Sequence, residues 1–229
     1  MTALYKVLEH DGASRVGVGK WPLPNGKAGE WLQVDGLLVP CKNGLHLCRR
    51  DDLVHWLGPA IFVAEYEGEV IEGGNEIVVR RARLLEKLDT WTDRTARLFA
   101  ADCAERVLHI YERDYPNDSR VRNAIEIARK FANGELPISV LGAARNAAWA
   151  AFRAADGAAA AAGTAASLGA AFWTAARAAA WAAFLAADGA AFGTAARNAA
   201  WAAFRAADGA AEREWQTARL FEYLEGTAQ

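Results

Sequence analysis

A segment of seventeen residues, AARNAAWAAFRAADGAA, dominates the second half of this chain because it occurs three times. The copies lie at 143–159, 175–191 and 195–211. The first and third copies are identical, and the middle copy differs from them only at Ala178 and Leu185. Alanine is the best helix former, and the regular recurrence of Trp and Phe is not typical of a disordered tract. The repeats therefore predict an alanine-rich helical region.

On a helix, the larger side chains of each copy fall on one side. With 100° per residue, Arg145, Trp149, Phe152 and Asp156 lie within a stripe about 60° wide, and the opposite side is alanine. Arg153 flanks this stripe, which we call the front of the copy. The candidate ligand-binding residues on the three fronts and their flanks are Arg145, Trp149, Phe152, Arg153, Arg177, Trp181, Phe184, Arg197, Trp201, Phe204 and Arg205.

Two interpretations of the fronts stay open at the level of sequence. Trp and Phe at this spacing are most often core residues, with Arg and Asp neutralising each other between neighbouring helices. Alternatively, alanine backs pack closely and the fronts face a cavity or a partner. A guanidinium group beside aromatic rings suits an anionic aromatic ligand such as a nucleotide, or an acidic aromatic patch on a protein.

The chain divides by composition into a mixed α+β region, 1–115, and an all-α, alanine-rich up-and-down helical bundle, 116–229. In the first region, the sequence predicts strands at LYKVLEH and on both sides of Gly73-Gly74, a short helix stopped by Gly58-Pro59, and a longer helix from Thr92 to about Arg113. The boundary is predicted near Pro116, where Asp118 can cap the next helix and Gly134 can end it. Within the bundle, each copy is predicted to supply one helix ending at its Asp-Gly pair. In an alternative division, helices restart at Thr174 or Thr194 as N-cap residues.

Composition excludes several classes of protein. A net charge of −2 over 229 residues gives no basic field for a nucleic acid polymer. Three cysteines argue against a disulfide scaffold and for a reducing compartment. The N-terminus has no apolar signal segment and the uncharged runs are too short to span a membrane. We therefore expect a cytoplasmic protein without a cofactor, and the repeated fronts leave a homo-oligomer open.

Cysteine and histidine cluster in the first half, in the stretch VPCKNGLHLCR. A two-residue turn at Asn43-Gly44 would place Cys41, His46 and Cys48 on one face of a hairpin. These three soft ligands are weak candidates for a zinc site, with His55 as a possible fourth ligand. A Cys–His nucleophile pair and a pair of buried, unreactive thiols are the alternatives.

The stretches CKNGLHLCRRDDLVHWLGPAIFVAEYEGEVIE and EIVVRRARLLEKLDTWTDRTARLFAADCAERVL resemble a domain of unknown function found in phage and bacterial proteins. That domain carries a Cys-x-x-Gly-[FL]-His-x-Cys core, matched here by Cys41, Gly44, Leu45, His46 and Cys48. The segment DSRVRNAIEIARKFANGE and the alanine-rich helices after it are similar to immunity proteins of the alanine-rich helical type. Together the resemblances imply a phage or prophage setting and a role in immunity or counter-defence.

Three functional hypotheses follow. The first is a non-catalytic phage or prophage binding protein whose fronts sequester a nucleotide-like immune signalling molecule. The second is an immunity-type protein that binds and blocks a toxin or effector protein through the same fronts. The third is an ADP-ribosyltransferase-like enzyme in the first half that uses His46 and one of Glu65, Glu67 and Glu69, although alternating glutamates are usually a solvated strand face.

Overall fold

The computed structural model describes residues 3–15, 19–161, 180–187, 192–207 and 209–228. These residues form two compact units. One comprises the chain up to Trp91 together with Leu224–Gly226, and the other comprises Thr92–Tyr223 and the residues from Thr227. The first unit is built on a β-sheet and the second is helical, which confirms the predicted α+β region followed by an all-α region. The units divide at residue 92 rather than Pro116, because the helices between these positions pack against later helices.

The first unit contains a five-stranded antiparallel sheet. Its strands are β1 (Leu4–Leu8), β2 (Leu32–Gln33), β3 (Leu45–Leu47), β4 (Ala60–Glu72) and β5 (Ile77–Lys87). Their order is β1-β4-β5-β2, and β3 pairs with β5 beside β2. The β4–β5 hairpin turns at the predicted Gly73-Gly74, where the amide of Gly73 donates to the carbonyl of Glu76 at 2.8 Å.

Large apolar side chains fill both faces of this sheet. On one face, Leu8, Phe62 and Leu84 are buried together with the indole of Trp21. The other face carries Val78 and Ile61, which are fully buried. A 3₁₀ turn (Arg50–Asp52) leads into the short helix α1 (Leu53–Trp56), which ends before Gly58-Pro59 as the sequence predicts.

The hairpin predicted at Asn43-Gly44 is wrong. The chain turns earlier, at Val39–Lys42, where the amide of Lys42 donates to the carbonyl of Val39 at 3.0 Å. Pro40 fixes a negative φ at the second position and Cys41 has a φ of +61°, which defines a type II turn. The side-chain amide of Asn43 instead donates to the backbone carbonyls of Asp35 and Leu37 in the preceding loop.

The second unit is helical throughout its regular structure. Its helices are α2 (Asp93–Arg106), α3 (Leu108–Asp114), α4 (Arg120–Ala132), α5 (Ser139–Ala161), α6 (residues 180–186), α7 (Phe192–Ala206) and α8 (Gly209–Leu224). The helix predicted from Thr92 to Arg113 is two helices, since the backbone leaves helical geometry at Val107. Asp118 accepts from the backbone amide of Arg120, the first residue of α4, although the N-cap residue is Ser119 rather than Asp118. Gly134 adopts a positive φ after α4, as predicted.

The repeats divide only in part as the sequence suggests, since α7 of the third copy ends at Ala206, just before the Asp-Gly pair. In the first copy, α5 continues through Asp156-Gly157 to Ala161, because the alanines that follow favour helix strongly enough to offset one glycine. In the third copy, α7 begins at Phe192, so Thr194 is not its N-cap residue. Thr174 lies outside the described residues. Among those residues, no helix is both long and apolar enough to cross a membrane.

Candidate functional site

Alanine forms much of the helix packing surface of the repeats. Helix α4 packs against α5, and α2 packs against α7. The buried alanines include Ala144, Ala148 and Ala151 on α5, Ala182, Ala183 and Ala186 on α6, and Ala196, Ala199, Ala200 and Ala203 on α7. On α5, Ala150 and Ala154 are exposed, so only part of the predicted alanine back is covered there. Small side chains let these helices approach closely.

The fronts of the first and second copies face each other. Trp149 and Phe152 stack at 5.0 Å between ring centroids, and Trp181 and Phe184 stack at 4.5 Å. Contacts between the copies join Trp149 to Phe184 at 5.6 Å and Phe152 to Trp181 at 5.3 Å. We call these four rings the aromatic cluster. It packs as the core interpretation predicts, although Trp149 keeps 39% of its surface exposed.

The front of the third copy is split between solvent and α8. Trp201 is 51% exposed, and the guanidinium of Arg205 lies over its ring at 4.9 Å. Phe204 packs against α8, where Arg213 lies over its ring at 4.8 Å and a Cβ on Gly209 would lie 2.8 Å from it. The buried Gln216 side chain donates to the carbonyl of Ala200 at 2.8 Å, which joins α8 to α7.

The repeated arginines lie at the surface or beside rings. Arg145 is exposed and lies over Phe184 at 4.8 Å, at the edge of the aromatic cluster. Arg153 and Arg205 are exposed, and Arg197 is half-buried. Arg177 and two predicted front carboxylates, Asp188 and Asp208, lie outside the described residues.

The second unit contains a buried ionic network that the sequence did not predict. Asp102 accepts from the Tyr223 hydroxyl and pairs with Arg129 and Arg219, each at 2.7 Å. Burial raises the pKa of Tyr223, and the hydrogen bond to Asp102 raises it further. The network joins side chains from α2, α4 and α8, so it fixes helix positions rather than a ligand. Asp102 and Arg219 are 117 residues apart in sequence, so local patterns do not indicate this pair.

The structure brings together only two of the three predicted soft ligands in the first unit. The amide of Cys41 donates to Nε2 of His46 at 3.2 Å. Cys48 is buried elsewhere, where its thiol contacts the carbonyl of Tyr5, and burial raises its pKa to about 12. Glu76 joins Cys41 and His46 instead, with Oε1 at 3.9 Å from both Sγ and Nε2. His55 is half-buried on α1.

The three alternating glutamates of β4 form ion pairs across the hairpin. Their partners on β5 are Arg83 for Glu65, Arg81 for Glu67 and Arg80 for Glu69. The ring of Trp31 lies against the guanidinium groups of both Arg81 and Arg83. This is the solvated charged face that the sequence most simply predicts.

The second unit is thus an all-α scaffold of buried alanine with indole and guanidinium groups at its surface. This chain belongs to the Imm-5 like putative immunity protein family, whose model matches residues 86–223. The match covers more than half of the chain and includes every repeat. It places the protein among immunity-type proteins. No curated protein and no solved structure matches the chain.

Proposed function

We propose that this protein is an immunity protein that binds a toxin or effector protein through the exposed indole and guanidinium groups of α5 and α7. The observation that carries the proposal is the exposure of Trp149 and Trp201, which occupy the same position in two copies. Tryptophan and arginine are the residues most enriched at the energetic centres of protein interfaces.

The positions of these side chains on the helices support binding rather than packing. The alanines at Ala148 and Ala200, each next to a tryptophan in sequence, are fully buried. Small side chains therefore form much of the helix contact surface, while Trp149 and Trp201 keep part of their surface exposed. Rigid helices carrying such groups lose little conformational entropy on binding, which favours affinity.

The arginines indicate the chemistry of the partner surface. Arg205 stacks on Trp201 and Arg145 on Phe184, so each guanidinium is oriented by a ring. Stacking on the face of Trp201 leaves the N–H edges of the Arg205 guanidinium available to a carboxylate. A partner surface with Asp or Glu near an aromatic or aliphatic side chain would match this arrangement.

The test is a titration with an identified partner. The wild-type chain would be used to capture binding proteins from its native cells, and each captured protein would be purified and titrated by calorimetry. We expect Trp149→Ala and Trp201→Ala each to weaken binding by about 10- to 100-fold, the range typical of an interface centre.

Leu37→Ala is the matched control, because Leu37 is exposed, apolar and in the other unit. It should leave the affinity unchanged. A purified partner that binds wild type and both tryptophan variants equally would contradict the proposal.

The second candidate is sequestration of a nucleotide-like signalling molecule, favoured by the stacked pair of Arg205 and Trp201. Such a pair could bind a phosphate through the guanidinium edges and a base through the open indole surface. Calorimetry with cyclic dinucleotides and ADP-ribose derivatives tests it. Heat with one of these ligands that is lost in Trp201→Ala would favour this candidate over a protein partner.

The remaining hypotheses stay predictions. One of them is relatedness to phage proteins through the Cys-x-x-Gly-[FL]-His-x-Cys core. Another is association into a homo-oligomer. For the enzyme hypothesis, NAD turnover that disappears in His46→Ala would be the supporting result.

A further inference from the structure

Cys41, His46 and Glu76 form a cluster in the first unit that neither the immunity family nor the proposed interface involves. Their candidate ligand atoms all lie within 4.8 Å of one another. Cys41 is exposed, and His46 and Glu76 are half-buried. We infer that these three side chains form a binding site for one Zn²⁺ ion, with the fourth ligand position open to water.

Backbone structure brings the three residues together from separate elements. His46 lies on β3 opposite Val78 of β5, and Glu76 immediately precedes β5. Side chains alternate along a strand, so Glu76 and Val78 project from the same face of the sheet as His46. The type II turn at Val39–Lys42 then returns Cys41 to this face.

The donor atoms converge on one point rather than forming a relay. Oε1 of Glu76 is 3.9 Å from Sγ of Cys41 and 3.9 Å from Nε2 of His46. In a catalytic triad the carboxylate would contact Nδ1, on the opposite side of the ring from the nucleophile. Tetrahedral zinc with bonds of about 2.0–2.3 Å places donor atoms about 3.3–3.8 Å apart. The two distances to Glu76 therefore need to shorten by a few tenths of an ångström, and separations as large as 4.8 Å by about 1 Å.

The state of the histidine suits a metal ligand. Nε2 accepts a hydrogen bond from the amide of Cys41, so this nitrogen presents a lone pair on the side of the ring next to Cys41. Neutral imidazole is the form that binds metals, and the lone pair points toward Cys41 and Glu76. Zinc binding would replace this hydrogen bond, so the amide of Cys41 should shift strongly in an NMR spectrum.

The backbone at Cys41 supplies a second, independent observation. Cys41 is the non-glycine residue with a positive φ among the described residues, at the turn position where glycine is favoured. Strained residues of this kind concentrate at binding sites. The set of thiolate, imidazole and carboxylate favours zinc over magnesium or calcium, which prefer oxygen ligands alone.

The experiment uses the full chain, stripped with a chelator and then titrated with Zn²⁺ by calorimetry and with Co²⁺ by absorption spectroscopy. We expect one ion per chain. The Co²⁺ spectrum should contain the strong d–d bands of four-coordinate cobalt and a near-ultraviolet thiolate charge-transfer band.

Variants identify the ligands. Cys41→Gly fits the turn, so it should fold, lose the charge-transfer band and bind at least 10-fold more weakly. Glu76→Gln should also weaken binding at least 10-fold but keep the charge-transfer band. The matched controls are Glu72→Gln, an exposed carboxylate of the same hairpin, and Cys48→Ala, a buried thiol. Both should bind as wild type does.

Two results would overturn the inference. One is wild-type protein that binds neither ion at micromolar concentrations. The other is binding whose affinity and charge-transfer band are unchanged in Cys41→Gly. Both results are independent of the proposed protein partner, because the affinity of the tryptophan variants for that partner is measured separately.

Discussion

Tryptophan is used in opposite ways in the two units. In the sheet unit, Trp21 and Trp91 are 4% and 3% exposed, and the Trp91 indole donates to the carbonyl of Gly58. In the repeats, Trp149 and Trp201 lie at the surface, while Ala148 and Ala200, which precede them in sequence, are buried. A large apolar side chain therefore forms core where the backbone leaves space for it. Where helices pack through alanine there is no such space, and the same residue type extends outward.

The largest expected effect tests this contrast directly. Trp91→Ala should lower the free energy of unfolding by about 3–5 kcal/mol, because it leaves a cavity and removes a buried hydrogen bond. Trp201→Ala should change it by less than about 0.5 kcal/mol, as expected for a surface side chain. Urea unfolding followed by circular dichroism measures both. Equal losses in the two variants would show that the repeat indole is a core residue.

Buried alanines of the repeats should resist enlargement. Ala203 on α7 is fully buried, and Ala203→Leu should destabilise the protein by about 1–3 kcal/mol through overpacking. Ala150 is exposed on α5, so Ala150→Leu should stay within about 0.5 kcal/mol of wild type. Thermal and urea unfolding check the pair. A tolerated leucine at 203 would mean that the helices do not pack through alanine.

The sheet unit and the repeats also differ in how deeply their cationic side chains are buried. Burial lowers the pKa of Lys6 from 10.5 to about 8, and nearby Glu76 opposes this shift in part. The Lys6 ammonium donates to the carbonyl of His46 and lies over Trp21. In the repeats, by contrast, Arg153 is exposed.

This difference predicts a pH dependence for the sheet unit. The folded pKa of Lys6 lies below the unfolded one, so between about pH 8 and 10.5 the unfolded chain binds the extra proton and stability rises with pH. The stability of wild type relative to Lys6→Met should therefore rise by about 1–3 kcal/mol from pH 7 to pH 10.5. Relative to Arg153→Met it should stay constant. A flat difference for Lys6→Met would mean that the ammonium is well solvated.

The smallest effect concerns the strained cysteine. In the presence of a chelator, Cys41→Gly should raise the free energy of unfolding by about 0.4–1 kcal/mol, because glycine adopts positive φ without a Cβ clash. Cys48→Ala should lower it, since that thiol is buried. Chemical unfolding of both variants checks this. A destabilised Cys41→Gly would mean that the thiol contributes more through its contacts than the backbone strain costs.

Local signals predicted much of the fold. Strands β1, β4 and β5, the turn at Gly73-Gly74, the Asp118 contact at the start of α4 and the stop at Gly134 depend on neighbouring residues, so the sequence contains them. The turn at Asn43-Gly44 was mispredicted because Pro40 favours a type II turn three residues earlier. Gly44 is required for another reason: a Cβ there would lie 2.2 Å from Val78.

The candidate sites were predicted only in part, because they depend on contacts between residues that are distant in sequence. The periodicity identified the repeat fronts, but not that the first two fronts would pack together while Trp201 stayed exposed. Cys41 and His46 lie next to each other, although through a turn other than the predicted one. Glu76 was missed because the pairing of β3 with β5 brings it from a distant part of the sequence.

Alanine packing also bears on how such a chain changes over generations. In a core of large, differently shaped side chains, each helix or strand packs in one alignment only. Inserting or deleting a helix or strand there leaves gaps. Methyl groups repeated along several helices fit one another in many alignments. Whole copies of the seventeen-residue unit could therefore be gained or lost with little rearrangement of the interior. Each added copy would bring another indole and guanidinium group that can vary as the surface of the proposed partner protein changes.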